Sequence, residues 1–293
     1  MPICSYFEDY VDAEVEVSSS FVSTCILDGS RPNVLDLASR LSRVDGVRGL
    51  AWNDEEMTKS LFDSGVRTVF LEGNVDAWQG QKELLETFPK ERLGIEVDVA
   101  PGTTASVFFF GSSSACITEL REVVDRIMLK GASLVDMEAF YTSNKDALAG
   151  LDVYFLSPDS SDASGETQAS MRRLAGGLRT WPVVSADKVD VVGAFISCLK
   201  TDRSDGLYTT VVCDEHGVCL GLVYSNEESI RTAVKDGRGV YWSRSRGGLW
   251  RKGDSSGAVQ QLLKMDYDCD GDALRFVVVQ KGDPAAFCHL NTR

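Results

Sequence analysis

The chain has 293 residues, 43% hydrophobic and 25% charged, which is enough for two domains with packed cores. Its formal net charge of −14 argues against a general nucleic-acid or membrane-surface binder, and no apolar run approaches the roughly 20 residues that span a bilayer. Acidic residues crowd the start of the chain, and its 8 cysteines are scattered, so we expect a reduced, soluble, cytoplasmic protein without a leader peptide.

Residues 1–185 alternate between β-branched runs and stretches of helical character. This alternation predicts an α/β domain with a mainly parallel sheet and covering helices, either as an open sheet or as part of a barrel. Asn53 or Asp54 is expected to cap the second helix, and Gly65 to stop it. The predicted strands are 21–27, 47–52, 66–71, 93–99, 106–110 and 152–156, and the predicted helices are 33–43, 54–63, 75–87, 115–129 and 170–178.

The first domain offers one candidate anion site. The segment Phe110–Ala115 is predicted to end a strand and open a helix, where backbone N–H groups could hold a phosphate. It lacks the lysine and the spaced glycines of the known phosphate loops, so a plain helix N-cap is the simpler interpretation. The chain has no histidine before His216, which excludes histidine-based catalysis here. We therefore expect a domain of unknown function, either a scaffold or a degenerate enzyme.

A polar loop is predicted at 157–167, and a helix at 189–199 leads into a smaller mixed α+β domain at 195–293. This second domain is predicted to open with a hairpin of strands 208–213 and 218–224, followed by a helix from Glu227 to Lys235. Asn226 should cap that helix and Gly237 should end it. Further strands are predicted at 239–246 and 274–280.

Cys213, His216 and Cys219 raise the possibility of a metal site in the hairpin. If Cys213 pairs with Val218, the two cysteines face opposite sides of the sheet, whereas another loop length would align them. A histidine in such a turn is more often solvated.

The segment Asp266–Ala273 concentrates four carboxylates and one thiol. Alternation along a strand would place the carboxylates on one face and Cys269 on the other. Carboxylates suit Mg²⁺ or Ca²⁺ and a thiolate suits Zn²⁺. An EF-hand is disfavoured, because Val277 falls where its final glutamate belongs and the flanks are not helical. A solvated acidic turn remains the alternative.

The most basic patch of this acidic chain precedes that segment. Four cations with neighbouring hydroxyl and backbone donors could bind a small phosphorylated substrate. The predicted phosphate-binding residues are Ser243, Arg244, Arg246, Arg251, Lys252, Gly253, Ser255, Ser256 and Gly257.

Five motifs resemble phosphoribosyl-AMP cyclohydrolase in their order and spacing, over about residues 200–293. These motifs are Gly221–Glu228, Gly239–Arg246, Leu249–Gly257, Asp266–Ala273 and Phe287–His289. Thr201–Thr210 and Phe287–Leu290 resemble the trifunctional fungal form of the family in particular. In that form a pyrophosphohydrolase and a histidinol dehydrogenase follow, and nothing in these 293 residues encodes either.

The resemblance implies a zinc site built from three cysteines of two subunits in a homodimer. Cys269 matches the first cysteine and Cys288 the second. The third belongs seven positions after Cys288, past Arg293, so the domain is expected to be C-terminally incomplete and to hold zinc poorly.

The resemblance also implies that Asp268, Asp270 and Asp272 bind magnesium. His289 is a general acid/base candidate, or else it only orients a ligand. The family usually has Glu where this chain has Asp254. The implied reaction adds water across the N1–C6 bond of phosphoribosyl-AMP, with zinc lowering the pKa of the water toward about 7. The alternative is a catalytically silent, regulatory or scaffold protein.

Overall fold

A computed structural model describes residues 3–7, 21–40, 44–51, 54–72, 87–100, 107–110, 113–116, 121–157, 165–175, 179–185 and 190–281. The chain divides into two compact units. The first takes in Ile3–Tyr10 and Thr24–Val189, and the second takes in Met1–Pro2, Val11–Ser23 and Asp190–Arg293.

Eight parallel strands of the first unit close into a barrel, in the order β1-β10-β9-β8-β5-β4-β3-β2. The predicted α/β domain with a mainly parallel sheet is thereby confirmed, as a closed barrel rather than an open sheet. The strands of this unit are β1 (Ile3–Phe7), β2 (Ser23–Asp28), β3 (Val44–Leu50), β4 (Thr68–Leu71), β5 (Leu93–Asp98), β6 (Val107–Phe110), β7 (Ser113–Cys116), β8 (Arg126–Lys130), β9 (Asp152–Leu156) and β10 (Thr180–Ser185).

The second helix of the unit has the predicted residues at both of its ends. Asp54 caps the second helix, since its Oδ1 accepts the N–H of Met57 at 3.1 Å, and Gly65 with φ of 100° follows the helix end. The helix predicted at 75–87 lies almost wholly outside the described residues. The helices that the structure describes in this unit are α1 (Val34–Arg40), α2 (Glu55–Asp63), α3 (Leu134–Ser143), α4 (Lys145–Leu148) and α5 (Gly165–Ala175), with a short 3₁₀ turn at Lys90–Arg92.

Phe70 lies at the centre of the barrel core, packed edge-on against Tyr154 with ring centroids 5.0 Å apart. A Cβ added to Gly46 or Gly94 would lie 2.8 or 2.4 Å from its ring. The two glycines therefore leave the space that the ring fills.

The helix predicted at 115–129 is wrong. Ser113–Cys116 is strand β7, which pairs antiparallel with β6, and Arg126–Lys130 is barrel strand β8. Ile127, Met128 and Leu129 are all fully buried, as expected for a strand covered on both faces. No helix therefore starts at Phe110–Ala115, which removes both the anion site and the N-cap expected there. The loop predicted at 157–167 also ends early, because α5 begins at Gly165.

A buried ionic cluster lies near the carboxyl ends of three barrel strands. Glu96 on β5 is fully buried and accepts two hydrogen bonds from Arg48 on β3, at 3.0 and 2.8 Å. Gly49 N–H donates to the same carboxylate at 2.7 Å, and Lys130 Nζ on β8 lies 2.9 Å from it. Glu96 therefore ties three strands of the barrel together.

The second unit is built on a four-stranded sheet of order β12-β11-β16-β15, with a separate β13–β14 hairpin. The β11–β16 pair is parallel and the other pairs are antiparallel, which confirms the predicted mixed domain. Its elements are α6 (Val191–Ser197), β11 (Tyr208–Asp214), β12 (Cys219–Ser225), α7 (Glu227–Asp236), β13 (Val240–Ser243), β14 (Gly248–Arg251), β15 (Gln260–Tyr267) and β16 (Ala273–Gln280).

The predicted caps of α7 are confirmed. Asn226 Oδ1 accepts the N–H of Ser229 at 2.9 Å, and Ser229 Oγ accepts the N–H of Asn226 at 2.9 Å, which makes a reciprocal capping box. Gly237 ends the helix with φ of 61°. Among the helices of the described segments, none is both long and apolar enough to cross a membrane.

Candidate active site

The acidic turn, Asp268–Asp272, joins β15 to β16. Asp268 Oδ1 accepts the N–H groups of Gly271, Asp272 and Ala273 at 3.0, 3.1 and 3.3 Å. Gly271 supplies a φ of 80°, which suits glycine. The side-chain carboxylate of Asp268 thus folds the backbone into a turn, so the expected strand alternation of four carboxylates is wrong.

Asp266 is separate from the acidic turn. It lies on β15, is buried, and accepts a hydrogen bond from Arg275 at 2.6 Å while Lys264 Nζ lies 3.0 Å away. Burial opposes its ionisation, but Arg275 and Lys264 outweigh that effect and lower the pKa of Asp266. Its charge is satisfied within the sheet, so it is not a ligand candidate.

Asp268, Cys269 and Asp270 each offer a ligand atom within 4.8 Å of the others, and all three are exposed. Asp272, the third predicted magnesium ligand, stands outside that group. Burial opposes ionisation of Asp268, but the N–H groups of Ala273 and Gly271 hold its pKa below the usual range. The charges of Asp270 and Asp268 raise the pKa of Asp272. This concentration of negative charge, which Lys200 offsets only in part, favours a bound cation. The carboxylates suit Mg²⁺ and Cys269 suits Zn²⁺.

Lys200 is a neighbour of the turn that the sequence interpretation missed. Its Nζ lies 3.7 Å from Asp270 Oδ2, and its N–H donates to Gly271 O at 2.9 Å. A Cβ added to Gly271 would lie 2.5 Å from Cys198 O, so the segment after α6 packs directly on the turn. The only sequence signal is position, just ahead of the fungal motif at 201–210.

The strand register places the acidic turn at one end of the sheet. Tyr224 on β12 pairs with Thr209 on β11, and Thr209 pairs with Ala273, the first residue after the turn. This row defines the acidic end of the sheet. Cys213 pairs with Val277, four residues farther along, or about 13 Å at 3.3 Å per residue.

The rival cysteine site in the hairpin does not form. A bulge between Val212 and Cys213 makes Cys213 and Cys219 direct cross-strand partners. Nevertheless, within the described segments the acidic turn is the one place where three potential metal ligands cluster, so Cys213, His216 and Cys219 do not form such a group. His216 is solvated in the turn, with its side chain 74% exposed.

The structure divides the predicted basic cluster. Arg244 and Arg246 are exposed in the β13–β14 turn, and Arg244 Cζ lies 3.9 Å from the ring centroid of Tyr224 at the acidic end. Ser243, the last residue of β13, has its Oγ 3.4 Å from the Oγ of Ser245 in that turn. This half of the predicted cluster therefore lies on the same side as the acidic turn.

The other half lies at the opposite end of the hairpin. Arg251 Nε donates to Asp236 at 3.1 Å, and Lys252 begins the turn that leads into β15. Gly253 has φ of 93°, and an added Cβ would lie 2.5 Å from Val259 N, so this turn requires glycine. Ser255, Ser256 and Gly257 are exposed in it. The 8 residues of β15 separate this turn from the acidic turn, a distance of roughly 26 Å.

Asp254, where the resembling family has Glu, pairs with Arg238 at 2.6 Å. Cys288 and His289 lie outside the described residues, so their predicted roles stay predictions.

Comparison with known proteins gives matches to the second unit. The sequence model of the family described as "Phosphoribosyl-AMP cyclohydrolase" matches residues 221–293. A histidine biosynthesis trifunctional protein of Kluyveromyces lactis is 59% identical over 97 residues, which are 33% of this chain and 12% of that protein. The chain thus spans about an eighth of the length of that relative.

The phosphoribosyl-AMP cyclohydrolase of Rhodospirillum centenum is 45% identical over 105 residues, or 35% of this chain and 75% of that enzyme. The crystal structure of KGPDC from Streptococcus mutans superposes with a TM-score of 0.43 at 10% identity, over 68% of this chain and 95% of that chain. The sequence matches make the second unit a cyclohydrolase domain. The chain belongs to the phosphoribosyl-AMP cyclohydrolase family.

Proposed function

We propose that this chain opens the six-membered ring of phosphoribosyl-AMP by hydrolysis, as a step of histidine biosynthesis. One water is consumed and its oxygen ends on C6 as the N1–C6 bond breaks. One of its protons goes to N1 and the other to the exocyclic nitrogen on C6, which becomes a carboxamide. The observation that supports this most directly is the acidic turn with its exposed thiol, which shares one end of the sheet with Arg244.

The residues of the acidic turn fit the metals that the family implies. Asp268 and Asp270, with Asp272 beside them, would hold Mg²⁺, and Cys269 with Cys288 would hold Zn²⁺. Zinc, when bound, supplies the Lewis acidity that makes a water molecule easier to deprotonate. Arg244 would bind a phosphate of the substrate through its guanidinium. His289 would carry the proton that moves between water and N1.

The active form is proposed to be a homodimer. Lys252–Gly257 and the acidic turn lie at opposite ends of β15 within one chain. A site that uses both the glycine-rich turn and the acidic turn therefore needs them from two copies. A shared zinc site would have the same requirement.

The test is to compare Cys269→Ala with Cys219→Ala in the full chain. Both cysteines are exposed, but Cys219 lies beside Cys213, away from the acidic end. We expect Cys269→Ala to lower zinc content and to reduce ring opening at least about tenfold, since removing a ligand weakens the site. Cys219→Ala should match the wild type in both measurements.

Wild-type protein that retains zinc but never opens the ring would instead support a regulatory or scaffold role. Full activity in Cys269→Ala would reject the assignment of this thiol.

A further inference from the structure

Two guanidinium groups lie against the same aromatic ring. Arg203 Cζ lies 4.6 Å from the ring centroid of Tyr224, and Arg244 Cζ lies 3.9 Å from it. Both distances are within the range of cation–π attraction. Tyr224 thus links the loop before β11 to the turn of the β13–β14 hairpin.

Arg203 is held firmly and its charge is offset. Its Nε and Nη2 donate to the two carboxylate oxygens of Asp205 at 2.9 and 2.7 Å. Its N–H donates to Thr201 Oγ1 at 3.2 Å, and that hydroxyl donates to Leu207 O at 2.8 Å. The loop therefore presents a fixed guanidinium to the ring of Tyr224.

Arg244, unlike Arg203, is not paired with a carboxylate of the described residues. It is exposed at the hairpin tip, and no carboxylate of the described residues lies within 4.0 Å of its guanidinium. Its donors and its charge remain available to an anion. The ring of Tyr224 restricts the orientation of the side chain, which reduces the conformational entropy that an exposed arginine would lose when it binds a ligand.

The position of Tyr224 in the sheet determines where the guanidinium of Arg244 lies. Tyr224, Thr209 and Ala273 lie in one row across three strands, and Ala273 directly follows the acidic turn. Arg244 is thus oriented at the end of the sheet where the acidic turn lies. A phosphorylated ligand whose reacting ring lies at the acidic turn would place a phosphate within reach of such a side chain.

We propose that Arg203 and Tyr224 are positioning residues, which hold the guanidinium of Arg244 in place to bind a phosphate of the substrate. This proposal rests on the proposed function, because it assigns the anion bound at the acidic end to phosphoribosyl-AMP. Arg203 lies ahead of the matched segment 221–293, so the preceding loop contributes to the site.

The experiment measures KM and kcat for ring opening in the full chain with four single substitutions. Arg203→Gln and Tyr224→Leu should raise KM roughly three- to tenfold and leave kcat nearly unchanged, since each removes one contact that orients Arg244. Tyr224→Phe keeps the ring that both guanidinium groups contact but loses the hydroxyl that interacts with Arg203, so it should raise KM less than Tyr224→Leu does. Arg231→Gln removes an arginine of α7 that pairs with Asp190 and Glu227, and it should have no effect on KM.

A double substitution separates positioning from general destabilisation. Arg203→Gln should have no further effect on KM in an Arg244→Ala background, because the residue that it positions is absent. An equal KM increase in both backgrounds would overturn the proposal, as would a Tyr224→Phe protein as impaired as Tyr224→Leu.

Equilibrium binding of AMP by calorimetry provides a readout independent of turnover. If the wild type binds AMP more tightly than Arg203→Gln but never opens the ring, the positioning role stands and the proposed reaction fails. If the wild type turns over and Arg203→Gln matches it in both KM and AMP affinity, the positioning role fails alone.

Discussion

The ammonium group of Lys200 lies 3.7 Å from Asp270 Oδ2, which joins a residue ahead of the family-matched segment to the acidic turn. Both side chains are 54% exposed, so solvent screens the pair and it adds little stability. Its importance is local, because Lys200 is the cation that offsets part of the negative charge of the turn.

Asp270→Asn should lower both the activity and its dependence on Mg²⁺, because it removes a carboxylate ligand. Removing one like charge relieves repulsion with Asp268 and Asp272, so the thermal midpoint without metal should hold or rise. Glu215→Gln, an exposed carboxylate in the β11–β12 turn, is the matched control. Full activity of Asp270→Asn at limiting Mg²⁺ would show that Asp270 is not a ligand.

Mixing a Cys269→Ala chain with a Cys288→Ala chain should restore activity that neither has alone. In a heterodimer with shared sites, one of the two sites keeps both cysteines. Zinc content and ring opening after co-refolding measure the recovery. A strictly monomeric protein with active zinc centres would contradict this prediction.

Glu96→Gln should destabilise the barrel by about 2–4 kcal/mol, because it leaves Arg48 and Lys130 without their shared carboxylate. The figure is below the usual cost of breaking a buried pair, since the two cations are 16% and 23% exposed and regain some solvation. Hydrogen exchange of peptides covering β5 and β8 should accelerate. Glu91→Gln, at an exposed carboxylate, is the control and should leave hydrogen exchange unchanged. If Glu96→Gln exchanged these peptides no faster than Glu91→Gln, the buried ionic cluster would not stabilise the barrel.

Oxidised glutathione should link Cys213 to Cys219. Cys213 and Cys219 are direct cross-strand partners of the β11–β12 hairpin. Directly opposite residues of an antiparallel pair have Cα atoms about 4.5–5.5 Å apart, a separation that permits a disulfide.

Burial raises the pKa of the Cys213 thiol. The exposed Cys219 should therefore form the mixed disulfide first, and closure by Cys213 should accelerate as the pH rises and its thiolate becomes populated. Mass spectrometry of peptides follows both species. A glutathione adduct on Cys219 that persists at high pH would show that the pair cannot close.

A chain that starts at residue 190 lacks the Val11–Ser23 part of the second unit but keeps all four strands of its sheet, so it should fold its cyclohydrolase domain. A chain that starts at 221 should not. The shorter chain lacks β11, which pairs with both β12 and β16, and it lacks Lys200. Circular dichroism and solubility distinguish the two chains. A cooperative thermal transition in the shorter chain would show that β11 is dispensable.

Local sequence signals predicted the local structure. Asp54, Asn226 and Gly237 cap helices as expected, because capping depends on the chemistry of a few adjacent residues. The β-branched run at Leu274–Gln280 forms β16 for the same reason.

Features set by distant pairing could not be predicted in this way. Asp266 is neutralised by Arg275 across a turn, and a bulge at Val212 aligns two cysteines that simple alternation places apart. Barrel closure depends on the register of all eight strands together. The contacts of Arg203 and Arg244 with Tyr224 join three of the motifs that resemble the family, but the sequence does not show that these three side chains meet.

The central position of β11 has a consequence for the order of folding during synthesis. Its parallel partner β16 ends at Gln280, so β11 must wait for more than sixty further residues to leave the ribosome before the sheet can be completed. The barrel closes through β1 and β10 and is complete once Ser185 has emerged. The nascent chain should therefore carry a complete barrel while the edge of β11 that pairs with β16 is still unpaired. During this interval the chain should be most prone to aggregate and most readily bound by chaperones.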